Sequence, residues 1–257
     1  MSPLGPLEGI ARARVVPVVV VDDAAQGVLV ASARRAGGLP GGAVACRAAG
    51  ARAAPAPGRA DAAAGGLVAR ALREGGLPVA EVTFRTAGAR AAIEAIAREV
   101  PDVLVGAGTV VTAAQVDEAV DAGARFLVSP GLSAAVVRRA QELGVPVVPG
   151  VATPSDVIAA LDLGLDVVKL IPANVAGGPA AGKAVSAPFP GLRFVPTGGV
   201  SAANLLDYLA LPAVLAGGGS SMGDAALVRA GDTAEIARRM REAVALAATA
   251  PHPAEGA

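Results

Sequence analysis

Eight short apolar runs recur along the chain with stretches of helical spacing between them, and no other feature restricts the fold as tightly. The runs lie at 15–21, 78–84, 103–106, 126–129, 145–149, 167–171, 193–197 and 213–217. They are mostly apolar on both faces and bounded by Gly and Pro, the form taken by parallel strands covered by helices. Helical spacing occupies 87–99, 112–122, 133–142, 154–163, 201–209 and 232–248. Thr112, Ser133, Thr153 and Ser201 stand where N-caps belong. In a chain of 257 residues this pattern predicts one α/β domain, a (β/α)8 TIM barrel over 8–248, with 249–257 as a flexible tail.

One connection is too long. Between the first two strands, where a single helix suffices, residues 23–66 supply about two helices' worth of Ala, Gly, Arg and Pro. Shifted by 38 residues, Asp23 to Ala54 aligns without gaps on Asp61 to Ala92, with 21 of 32 positions identical. We read a tandem duplication whose first copy has lost its polar residues: Glu81 is matched by Ala43, Thr83 by Ala45, Phe84 by Cys46 and Thr86 by Ala48, while Arg85 keeps Arg47. The second copy is predicted to supply strand two, and 26–60 to project as a poorly ordered insertion on the catalytic face. A low-complexity insert that resembles its neighbour by composition is the competing reading.

Lys and Arg together number 22, as do Asp and Glu, so no field draws in nucleic acid or an anionic membrane. The most apolar run, Val15 to Val21, is too short to span a bilayer, and the first residues lack a signal-peptide pattern. A cytoplasmic protein with a small-molecule partner is expected. Cys46 and His252 are the only residues of their kinds, which excludes Cys/His metal sites, Ser-His-Asp triads and intrachain disulfides. Lysine survives only at 169 and 183, against 20 arginines.

Barrel enzymes place their chemistry at the C-terminal ends of strands. Lys169 lies inside the apolar run Val167-Val168-Lys169-Leu170-Ile171-Pro172. Burying an ammonium costs several kcal/mol unless it is paired or neutralised, which favours the free amine, a nucleophile suited to a Schiff base. A lysine whose amine snorkels to the strand end and meets a carboxylate stays open at this point. In strand two, period-two alternation puts Glu81, Thr83 and Arg85 on one inward face. Glu81 is either a proton carrier for an imine or the ion-pair partner of Arg85. Glycines after strands seven and eight, Gly198-Gly199 and Gly217-Gly218-Gly219, can offer backbone N–H groups to a phosphate, or simply make tight turns.

Taken in order, Glu81-Val-Thr-Phe-Arg85-Thr86, Gly106-Ala-Gly-Thr109, Ser129-Pro-Gly131, Pro149-Gly150, Val168-Lys169-Leu-Ile-Pro172 and Pro196-Thr197-Gly-Gly199 closely resemble the KDPG aldolase (2-dehydro-3-deoxy-phosphogluconate/4-hydroxy-2-oxoglutarate aldolase) family. The resemblance covers about 8–248 outside the duplicated segment. It implies a class I aldolase without metal or cofactor, homotrimeric and cytosolic. Such an enzyme releases pyruvate and glyceraldehyde 3-phosphate, and can also cleave 4-hydroxy-2-oxoglutarate to pyruvate and glyoxylate. It implies further that Lys169 is the Schiff-base lysine, Glu81 the general acid/base, and Arg85 with Thr109 the grip on the pyruvyl carboxylate. Pro130 would line the pyruvate pocket, Thr197 would help select the aldehyde face, and Gly198, Gly199, Gly218, Gly219 and Ser220 would hold the phosphate.

The chain departs from that pattern at Ile171, where an aromatic residue is common. It departs again at Gly217-Gly-Gly-Ser-Ser221, where the family usually has an apolar residue first and Trp last. Alternatives kept in view are a non-catalytic phosphosugar-binding barrel inactivated by the insertion and an aldolase specific for the galactonate epimer. A phosphosugar epimerase would need a second inward carboxylate or metal ligands, and only Glu81 can be placed inside.

Overall fold

The computed structural model describes residues 7–21, 59–86 and 88–251. The first copy of the repeat, the 26–60 insertion apart from its last two residues, and the tail from 252 lie outside the described residues. The strands are β1 Val15–Val19, β2 Val79–Thr83, β3 Leu104–Gly108, β4 Leu127–Val128, β5 Val147–Val148, β6 Gly150–Val151, β7 Val167–Leu170, β8 Arg193–Pro196 and β9 Gly217–Gly219. The helices are α1 Glu8–Ala13, α2 Arg59–Gly75, α3 Ala89–Glu99, α4 Ala113–Asp121, α5 Ala134–Glu142, α6 Pro154–Asp162, α7 Gly178–Ser186, α8 Leu205–Leu209, α9 Ala225–Ala230 and α10 Thr233–Ala248. The strand between β1 and β3 is thus supplied from Val79–Thr83, preceded by α2.

This is an α/β fold built on parallel sheets. Six strands pair in the order β5-β4-β3-β2-β1-β9 and three in the order β6-β7-β8. β5 and β6 are two halves of one extended run broken at Pro149, the first pairing with β4 and the second with β7. Proline has no N–H to donate and interrupts a ladder, but its carbonyl still accepts from the Lys169 N–H at 2.8 Å. At the other edge, bridges Phe194↔Val214 and Thr197↔Gly218 tie β8 to the β9 segment.

Strands β1, β2 and β3 are buried at every position, as near-continuous apolar strands covered on both faces must be. The helices bury one face each: α3 turns Ala89, Ala92, Ile93 and Ile96 inward, the spacing of an amphipathic helix. α2 packs against α3 and α10. Thr112, Ser133 and Thr153 cap α4, α5 and α6, each accepting from the backbone N–H three residues on. At α6 the return half of the capping box is Asp156, whose carboxyl the Ala152 and Thr153 N–H groups hold below its usual range.

Four expectations need correction. Ser201 does not cap a helix: Asn204 Oδ1 accepts from the Ser201 N–H at 2.8 Å and its Nδ2 donates to Gly199 O at 2.9 Å, which makes a turn, so α8 starts only at Leu205. Strand two ends at Thr83, and Arg85 sits in the following turn, exposed, rather than on the inward face. Strand three runs through Gly108 where its end was expected at 106, so Gly108 is a strand residue. The last strand is the glycine run Gly217–Gly219, with only an isolated bridge at Val214 where 213–217 was expected. Helices α1, α7 and α9, which carry few strong helix signals, were not anticipated.

Candidate active site

Among the described residues the buried polar side chains are Arg14, Glu81, Thr83, Ser129, Lys169 and Thr197. All but Arg14 lie near the C-terminal ends of strands or just beyond them, the end from which barrel loops work on substrate. Parallel pairing explains their grouping. Glu81 sits level with Val18 on β1 and Gly106 on β3, while Lys169 sits level with Gly150 on β6 and Val195 on β8.

Lys169 and Glu81 meet. Lys169 Nζ is 3.5 Å from Glu81 Oε1, with the residues 6% and 4% exposed. This is ion-pair distance without a hydrogen bond, and Glu81 Oε1 has no hydrogen-bond partner elsewhere. Both side chains line a cavity of about 10 Å³, walled by Phe126, Val128, Val148 and Val195 with Thr197 as the other polar group. That volume is about one water's worth. Isolating charges in so apolar a wall is expensive unless they exchange a proton or stay together. Among the described residues no cluster of His, Cys, Asp and Glu could hold a metal ion.

Gly108 on β3 makes room for this pair, and Gly106 for the Phe126 ring beside it. A Cβ on Gly108 would fall 2.1 Å from Glu81 Oε1 and 2.7 Å from its Cδ, so the carboxylate occupies the space a side chain would fill. A Cβ on Gly106 would strike the Phe126 ring at 2.4 Å. The expected run stopped at 106 and left Gly108 outside the strand, because a strand glycine and a turn glycine read alike. Thr83, one inward position beyond Glu81, has a buried hydroxyl without a partner.

The remaining expected residues surround the strand ends. Arg85 follows β2 and is exposed; Thr109 follows β3 directly, half-buried, with φ of 61°. Because Thr83 pairs with Gly108, these two residues emerge from adjacent strands. Pro130 is exposed after β4, and its carbonyl lies where a Cβ on Gly150 would fall, 2.2 Å away, so glycine is required there. Thr197 is buried and its hydroxyl donates to Val195 O at 3.4 Å. Gly198 and Gly199 have φ of 93° and 84°, conformations that favour glycine. Gly218 packs against Thr197, Gly219 is buried, and Ser220 is exposed at the rim. Arg85, Pro130, Gly198, Gly199 and Ser220 are not among the residues walling the Lys169–Glu81 cavity; Thr197 is.

Residues 58–239 match the family model described as KDPG and KHG aldolase. The KHG/KDPG aldolase of Escherichia coli (strain K12) is 47% identical over 153 residues, 60% of this chain and 72% of that relative. The 2-dehydro-3-deoxy-phosphogluconate aldolase of Treponema pallidum (strain Nichols) is 47% identical over 145 residues, 56% of this chain and 69% of the relative. The solved 2-keto-3-deoxy-6-phosphogluconate aldolase of Zymomonas mobilis ZM4 with 3-phosphoglycerate superposes with a TM-score of 0.73 at 34% identity, covering 94% of this chain and 95% of that one. A KDPG aldolase from Legionella pneumophila, with pyruvate captured at low pH as a covalent carbinolamine intermediate, gives 0.71 at 31% identity and covers 92% and 96%.

Proposed function

The chain belongs to the KDPG and KHG aldolase family, and from that premise we propose that it cleaves 2-dehydro-3-deoxy-6-phosphogluconate to pyruvate and glyceraldehyde 3-phosphate by a metal-independent class I mechanism. The observation that carries the proposal is the buried Lys169 amine facing the unpartnered Glu81 oxygen at 3.5 Å. The carbinolamine of pyruvate in the Legionella pneumophila relative supports the same chemistry.

The Lys169 amine attacks the C2 carbonyl, and the carbinolamine loses water to give an iminium ion. Glu81 accepts the C4 hydroxyl proton, directly or through one water; the C3–C4 bond breaks, its electron pair passes into the iminium, and glyceraldehyde 3-phosphate leaves. The enamine takes a proton back at C3, and hydrolysis frees pyruvate and Lys169. Arg85 and Thr109 hold the pyruvyl carboxylate, Pro130 lines the pyruvate pocket, and Thr197 bears on the aldehyde face. Gly198, Gly199, Gly218, Gly219 and Ser220 receive the phosphate. The same sequence of steps takes 4-hydroxy-2-oxoglutarate to pyruvate and glyoxylate.

The frame for this chemistry is a closed (β/α)8 barrel in which β5 and β6 count as one strand. The split at Pro149 and the β8–β9 bridges support that reading. The working unit we propose is a homotrimer in the cytoplasm. Among the described residues no helix is long and apolar enough to cross a membrane.

Incubation with 2-dehydro-3-deoxy-6-phosphogluconate in the presence of a chelator, with pyruvate coupled to NADH oxidation, is expected to show turnover unaffected by the chelator. No pyruvate from folded protein would refute the aldolase reading; turnover that needs a divalent metal would refute the class I mechanism.

A further inference from the structure

We propose that Arg239 positions the phosphate-binding loop from outside the barrel, an inference that rests on the aldolase reading above. The loop in question leaves β9 at Gly219 and runs to α9. On its outer side Gly219, Ser221 and Met222 border an open groove of about 670 Å³ between the loop and α10. Glycine-rich backbone with a groove behind it must lose considerable conformational freedom to present fixed N–H groups to an anion. Something has to hold it.

Arg239 crosses that groove. Its Nη1 donates to the Ser221 carbonyl at 3.0 Å while its Nε donates to Glu235 Oε1 at 2.8 Å. Glu235 is fixed in turn: Asp232 caps α10 by accepting from the Glu235 N–H at 3.1 Å, and Arg238 grips both Glu235 oxygens at 2.7 Å. The Arg238 and Arg239 guanidinium groups hold the Glu235 carboxyl at about 2, so it remains an anion throughout the neutral range. The result is a chain of contacts from a capped sixteen-residue helix to the loop carbonyl. Among the described residues Arg239 makes the only side-chain hydrogen bond to residues 220–223. Its side chain, two-thirds covered, also places positive charge beside the loop. Arg241 is the natural control, because it stands on the same helix but donates to the Glu74 carbonyl instead of the loop.

The test compares Arg239→Met with Arg241→Met. KM for 2-dehydro-3-deoxy-6-phosphogluconate is measured beside the pyruvate concentration that half-saturates borohydride trapping, a reaction in which no phosphate takes part. R239M is expected to raise KM roughly tenfold, with kcat and the pyruvate half-saturation changed by less than about twofold. R241M is expected to leave all three within about twofold. An R239M enzyme with unchanged KM, with KM and pyruvate half-saturation shifted alike, or matched by R241M overturns the inference while the aldolase reading stands. A wild-type protein that releases no pyruvate overturns both.

Discussion

Gly108→Ala is expected to leave the protein folded and to lower kcat by roughly 10²-fold or more. Gly108 has an ordinary negative φ, so the backbone accepts alanine without strain, and the loss of glycine's freedom in the unfolded chain even favours folding slightly. The new methyl group, however, would sit 2.1 Å from Glu81 Oε1. The Glu81 side chain is the flexible partner and swings away, taking the carboxylate from its place 3.5 Å from Lys169. Proton transfer depends on hydrogen-bond reach, so activity falls far more than stability. Melting temperature and kcat measured on the same preparation separate the two effects. A variant with activity within threefold of wild type would show that Glu81 does not need this position.

Lys169→Met has the larger effect on turnover. Methionine keeps the length and apolar stem but has no amine, so no covalent intermediate forms and kcat should fall by at least about 10³-fold. Glu81 is then left without its cation in an apolar cavity, a loss that costs about 3 kcal/mol when one partner of a buried pair is removed. Denaturant titration should detect that loss, and adding Glu81→Gln to the same chain should recover much of it while activity stays absent. Equal stability of the single variant and wild type would mean that the pair does not interact in the folded protein.

Lys169 and Glu81 were legible in the sequence because a charged residue in an apolar strand has few explanations, and period-two alternation assigns its face. The caps at Thr112, Ser133 and Thr153 were legible for a related reason: their hydrogen bonds are local, and the residues that make them lie three apart. Arg85 was misassigned because alternation holds only while the strand lasts, and nothing in Phe84-Arg85-Thr86 marks the strand's end at Thr83. The role of Gly108 was hidden since it depends on where another strand's side chain comes to rest. Arg239 was equally hidden: one of many arginines on a helix, distinguished only by the Ser221 carbonyl that tertiary packing brings to it. The last strand escaped as well, because a run of three glycines carries no β-branched signal and is held by pairing with Val15, Val16 and Pro17.

The central claim is that Lys169 forms the Schiff base, and borohydride reduction in the presence of pyruvate, followed by peptide mass mapping, tests it most directly. One pyruvate-derived adduct on the peptide containing Lys169 is predicted, with Lys183 unmodified. Folded protein that takes up no adduct at Lys169, or carries it at Lys183, would contradict the claim.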